Sequence, residues 1–145
     1  GRVLANDTAG VYGSYSGPAA GQSVEVANLQ EVTTGPAELW ATVEGTAAKA
    51  YAVRIERVTM TGTDPNRNLL IRVTDQTLLE KTGGIVQGRS GSPIVQNGRL
   101  AAVLTHVLVN DPTRGYGIFA QTMLKQARAV EKTDDTAHTQ AQNAK

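Results

Sequence analysis

The sequence predicts an all-β fold, a barrel or sandwich with one C-terminal helix, and three observations carry that prediction. Short alternating apolar segments separated by turn residues fill most of the chain. An Asn97-Gly98 pair lies between two apolar runs, the preferred dipeptide of a two-residue hairpin turn. From Ala120 onward the apolar spacing changes from the period of a strand to that of a helix.

The elements follow in order. Val11 to Tyr15 is a candidate strand, bounded by Gly10 and by Ser16-Gly17-Pro18. Val24-Glu25-Val26 alternates and is expected to begin another, and Gly35-Pro36 reads as a turn. Leu39 to Val43 and Tyr51 to Val58 form two strands of a hairpin, with Tyr51, Val53 and Ile55 on one face and Arg54 and Glu56 on the other. Thr61 to Asn68 is a polar loop, and Leu69 to Val73 is a short apolar strand. Gln76 to Lys81 suits a short helical turn stopped by Gly83-Gly84. Pro93 to Gln96 and Arg99 to Val109 flank the Asn-Gly turn, Asn110-Asp111-Pro112 is a second turn, and Gly115 to Phe119 is a last strand. In the helix, Phe119, Met123, Ala127 and Val130 share a face that is expected to pack on one end of the barrel. Residues 1–130 form one domain. Residues 131–145 lack large apolar side chains and are expected as a disordered tail.

Composition narrows the functions. The chain has 145 residues, 40% of them hydrophobic and 19% charged, which suits a single domain with a core of its own. Its net charge is +1, with both signs interspersed, so a nucleic-acid surface has no support. The absence of cysteine excludes disulfides, thiolate catalysis and cysteine-ligated zinc. No apolar run is long enough to span a membrane as a helix. The chain starts Gly1-Arg2-Val3 and reads as the middle of a longer protein.

The chemistry concentrates in Gly88-Arg89-Ser90-Gly91-Ser92-Pro93. A serine between glycines on a tight loop suits an exposed nucleophile, with the N–H groups of Gly88 and Ser90 available to one oxyanion. The same Gly-Ser-Gly also suits a plain turn. Ser92 precedes a proline, is biased toward extended geometry, and starts the next strand. Asp75, between an apolar strand and a polar turn, reads as a helix cap.

The order of serine loop, Asn-Gly hairpin and long returning strand ending in Leu104-Thr105-His106 resembles the second barrel of chymotrypsin-like peptidases. A narrower likeness runs from Thr74-Asp75 through Leu78 to Ile94, and again through Thr105-His106-Val107-Leu108-Val109-Asn110-Asp111-Pro112-Thr113 into Gly115-Tyr116-Gly117. Those segments resemble the SpoIVB peptidases of spore-forming bacteria. The resemblance implies a chymotrypsin-like β-barrel with a C-terminal helix and a serine endopeptidase that needs no cofactor. It implies a protein substrate, a membrane-associated regulator cut in the space between mother cell and forespore.

Carried over by position, Ser90 is the nucleophile and Asp75 the acidic triad member, and the returning strand with Thr105 and His106, the candidate substrate-binding residues, lines the substrate cleft. Asp75 can cap the helix as well, because a carboxylate has two oxygens. The family's base is a histidine in a Gly-His segment, and this chain has none; its two histidines are His106 and His138. The expectation is therefore that the base precedes Gly1 and that the chain alone is inactive. Strand alternation further predicts that either Thr105 or His106 faces the cleft, but not both. The competing reading is a non-catalytic barrel that grips peptides along an edge strand.

Overall fold

The computed structural model describes residues 1–18 and 21–143. Alternation decides the strands: Tyr51, Val53 and Ile55 are buried while Ala52 and Arg54 are exposed. In chain order, β1 (Arg2–Asp7) and β2 (Gly10–Ser14) form a two-stranded hairpin. Then come β3 (Gly35–Ala41), β4 (Lys49–Val58), β5 (Leu69–Val73), helix α1 (Gln76–Thr82), β6 (Pro93–Gln96), β7 (Arg99–Leu108), β8 (Asp111–Phe119) and helix α2 (Ala120–Asn143). Six strands close an antiparallel barrel in the order β3-β4-β5-β8-β7-β6, sealed where Leu39 of β3 pairs with Ile94 of β6.

Aliphatic side chains fill the barrel. Leu39, Ile55, Leu69, Ile71, Ile94, Leu104 and Ile118 are almost wholly buried, each stabilising by about 1.5–3 kcal/mol. Glycine makes room for them on β8. A Cβ on buried Gly115 would stand 2.9 Å from Leu104 Cδ1 and 3.1 Å from Ile85 Cδ1. Helix α1 starts at Asp75, whose side chain accepts the Leu78 N–H, and stops at Gly83 in the left-handed conformation, φ 69°. The Asn97-Gly98 pair makes the tight turn expected of it, with φ of 52° and 75°.

Several expectations shift. The strand around Val11 belongs to the separate β1–β2 hairpin, which packs on α2 and uses residues from Arg2 on that the turn pattern did not reveal. Gln126 Nε2 donates to Asp7 Oδ2 at 2.9 Å, and Arg2 pairs with Asp134. Val24-Glu25-Val26 makes a single bridge, Val26 to Leu100, instead of a strand. Gly35-Pro36 opens β3 and is not a turn; β6 pairs with β3 only at Glu38 and Leu39, so Pro36 stands beside an open edge that a proline tolerates. The turn expected at Asn110-Asp111-Pro112 sits one residue earlier, because Leu108 pairs with Asp111 across Val109 and Asn110. Helix α2 continues to Asn143, where a disordered tail was expected from 131; residues 144 and 145 lie outside the described residues. The stretch contains neither Gly nor Pro. The hydroxyls of Thr133, Thr136 and Thr139 each donate to the carbonyl four residues back, a back-bond that a helix accommodates at a small cost.

Two outcomes test this packing. A Cβ at Gly84 (φ 143°) would stand 2.3 Å from the Pro112 carbonyl oxygen, whereas one at Gly45 (φ 67°) would meet nothing within 4 Å. Gly84→Ala should cost about 3 kcal/mol and Gly45→Ala about 1 kcal/mol in urea unfolding. The second concerns Glu31. Its carboxyl is held below the ordinary carboxylate range because it accepts the Asn28 N–H, and further because Arg99 bonds it. A lowered folded-state pKa means stability that is present above the unfolded value and lost as pH falls through the folded one. Stability should therefore drop as pH is lowered from about 5 toward 3, and Glu31→Gln should flatten part of that drop in urea midpoints measured at each pH.

Candidate active site

The serine loop is built on the edge of β7. Strand β6 pairs with β7 only as far as Val103, so the same side of Leu104–Leu108 is open to whatever lies beside it. The loop takes the first positions: the Gly91 N–H donates to the Leu104 carbonyl at 2.8 Å, and the Leu104 N–H donates to the Ser92 carbonyl at 2.9 Å. A tight turn precedes them, the Ser92 N–H donating to the Arg89 carbonyl at 3.0 Å, with Gly91 at φ 94° in its third position. Ser90 occupies the turn's second position and is exposed. Its hydroxyl donates to the Thr105 carbonyl at 2.6 Å. Among the described residues, no acceptor bonds the N–H of Gly88 or of Ser90.

Thr105 is out of step with its neighbour. The β7–β8 register jumps between Leu104 and His106, so Thr105 is the extra residue of a β-bulge. Bulged strands break alternation, and both side chains that were expected to oppose each other face the loop before β5. The Thr105 hydroxyl donates to the Asn66 carbonyl at 2.6 Å. His106 lines a hollow of about 310 Å³ with Asn66, Arg67, Asp64 and Thr8. The strict alternation behind the expectation that only one of the two faces the cleft does not hold across the bulge. Arg67 also lies over the ring of Tyr116, 5.2 Å from its centroid, opposite His106 across the strands.

Asp75 is engaged at both oxygens. Oδ1 accepts the Leu78 N–H at 2.9 Å, the helix cap that the sequence alone indicates, and Oδ2 accepts the Ala52 N–H at 3.3 Å. The Asp75 N–H returns a bond to the Ala52 carbonyl at 3.0 Å, so the residue is stitched to β4. No contact joins Asp75 to Ser90 or His106 among the described residues. His138 lies on α2, and its side chain is outside the described ones. No cluster of three or more His, Asp or Glu among the described residues is placed to hold a metal.

Two long-range contacts escaped the sequence. Asn66 supports Thr105 from 39 positions away, and Arg89 reaches the Thr42 carbonyl from 47 positions away. Asp64-Pro65 signals a turn near Asn66, but nothing local says which strand that turn will meet.

Comparison with known proteins adds the following. The family model described as SpoIVB peptidase S55 matches residues 1–124. The active form of the Rv3671c protease from M. tuberculosis is similar at 21% identity and a TM-score of 0.50, over 88% of this chain and 57% of that one. A serine-to-alanine mutant of Rv3671c from M. tuberculosis H37Rv, in its inactive form, is similar at 18% identity and a TM-score of 0.50, over 91% of this chain and 65% of that one. The chain thus spans less than two thirds of the length of either structure. At these identities the likeness is one of fold, and it agrees with the chymotrypsin-like barrel plus C-terminal helix expected from the sequence. No curated protein matches.

The double engagement of Asp75 has a measurable outcome. Asp75→Ala should cost about 1–2 kcal/mol in urea unfolding, through the lost cap and the lost bond to β4. Asp75→Asn keeps an acceptor for the cap and should cost less than half of that.

Proposed function

The chain belongs to the SpoIVB peptidase family, and we propose on that footing that it is the serine-bearing barrel of an endopeptidase. One observation carries the reading: Ser90 stands exposed beside the open edge of β7, and among the described residues the Gly88 and Ser90 N–H groups are unengaged. An extended substrate adds to that edge by main-chain hydrogen bonds, with the side chains of Thr105 and His106 beside it.

In the reaction, the Ser90 oxygen attacks the peptide carbonyl carbon. Its proton passes to a histidine base, and the carbonyl electron pair moves onto oxygen. The N–H groups of Gly88 and Ser90 receive that oxyanion. Collapse restores the carbonyl, breaks the C–N bond, and returns the proton to the leaving amine; water then releases the acyl group from Ser90 by the same steps. Asp75 orients the base and stabilises its charged form. No metal or organic cofactor takes part.

The base in this reading comes from outside these 145 residues. His106 is a poor substitute, since it lines the hollow beside Asn66 and Arg67 while the Ser90 proton rests on a peptide carbonyl. The chain alone should then be close to inert. The family likeness further suggests the substrate, a membrane-associated regulator, and the site of action, the space between mother cell and forespore. No helix among the described residues is long and apolar enough to cross a membrane.

The competing reading, a barrel that binds peptides without cutting them, uses the same open edge. Peptide hydrolysis by the full-length natural protein separates the two. Ser90→Ala should lower kcat/KM by at least about 10³-fold, and Asp75→Asn by about 10²-fold or more while keeping the fold. Equal turnover by wild type and Ser90→Ala would overturn the peptidase reading, as would peptide binding without cleavage. The 145-residue chain should resist fluorophosphonate labelling at Ser90. Rapid labelling, abolished by His106→Ala, would instead make His106 the base.

A further inference from the structure

Arg89 stands between the two groups that matter most for the proposed chemistry. The N–H of Gly88 precedes it and the N–H of Ser90 follows it, so the placement of Arg89 sets both. Its half-buried side chain crosses to the end of β3, where the guanidinium donates to the carbonyl of Thr42. No carboxylate among the described residues pairs with that guanidinium. Its charge is spent on a neutral acceptor, a charge-assisted bond stronger than an uncharged one.

The loop has few other attachments. The Ile85 N–H donates to the Pro112 carbonyl at 2.7 Å, and the next backbone bond to the barrel is that of Gly91 to Leu104. Between those two points the described residues offer only side-chain ties: the Arg89 guanidinium on Thr42 and the Ser90 hydroxyl on Thr105. Gly88 takes a left-handed φ of 87°, and nothing lies within 4 Å of where a Cβ would be. The second tie cannot last through catalysis, because the Ser90 hydroxyl must leave Thr105 to lose its proton to a base. The first tie then holds the segment alone.

We propose that Arg89 is a positioning residue, which keeps the Gly88 and Ser90 N–H groups in place through the Thr42 carbonyl while the Ser90 hydroxyl is away from Thr105. The inference rests on the endopeptidase reading for its catalytic consequence and on geometry alone for the tie itself. Arginine suits the task because it is charged at every relevant pH and has spare donors if one bond strains.

The test uses the full-length natural protein and reads the two parts separately. In a Ser90→Ala background, which lacks the hydroxyl tie, adding Arg89→Ala should speed amide exchange at Gly91 and Ser92 by about tenfold or more. Exchange in β5 should not change. In the active protein, Arg89→Ala should lower kcat by about 10²-fold with KM within threefold, and Arg89→Lys should recover most of the loss. Should Arg89→Ala fail to fold, Arg89→Met keeps the stem and carries the same comparison. Unchanged exchange at Gly91 and Ser92 would overturn the tie. A raised KM with kcat retained would make Arg89 a substrate contact and overturn the positioning role. Wild-type protein that folds but cleaves no peptide would sink the endopeptidase reading, and the exchange comparison would still decide the tie.

Discussion

Strand β7 outruns its neighbour. It has ten residues against the four of β6, and the pairing of the two ends at Val103. A strand edge left open inside a barrel carries unpaired donors and acceptors that must be satisfied or hydrated. The serine loop meets the first of them at Leu104, the bulge turns the next carbonyl toward Ser90, and the remainder of the edge lies open. The position of Ser90 thus follows from a mismatch in strand length. Closure of the barrel at Leu39 and Ile94 fixes where β6 runs, and so where that mismatch falls.

Small residues make this arrangement compatible with a packed interior. With one Phe and one Trp in the chain, the core depends on aliphatic side chains meeting across the barrel. Gly115 and Gly117 lie on β8, flanked by the strands on both sides; the missing side chain at Gly115 leaves room for Leu104 and Ile85, and that at Gly117 for Ile94. Leu104 is at once a core residue through its side chain and a loop anchor through both of its backbone groups. Stability and the geometry of the serine loop are therefore coupled at one position, and a change in the packing of Leu104 is felt by the loop it holds.

What the sequence made legible were features with short-range causes. The Asn97-Gly98 turn, the cap at Asp75, the stop at Gly83 and the alternation of β4 each rest on residues within a few positions of one another. The serine loop was legible for the same reason. The misreadings have longer-range causes. Pro36 is tolerated in β3 because of where β6 stops, 60 positions away in the chain, and a local rule for turns has no access to that. Thr105 and His106 share a side because one extra residue in β7 meets a partner strand that the sequence shows only as a separate run. The β1–β2 hairpin packs on α2, more than a hundred positions later, so its place outside the barrel is a matter of topology that the local pattern does not reveal. The sequence reading ends helix α2 early because it takes polarity for disorder, whereas a polar stretch free of Gly and Pro can stay helical.

The resting place of the Ser90 proton bears on the order of events at the edge. A carbonyl oxygen has two lone pairs, and the Ser90 hydroxyl uses one of those on Thr105. A backbone N–H arriving along β7 can take the other without first displacing the serine. On the proposed peptidase reading, docking and activation are separable: the edge can fill while the hydroxyl is still held, and an amide oxygen is far too weak a base to take the proton itself. Only the approach of a stronger acceptor converts a filled edge into a reactive one. On that reading, the ordering would protect a bound chain until every participant has arrived.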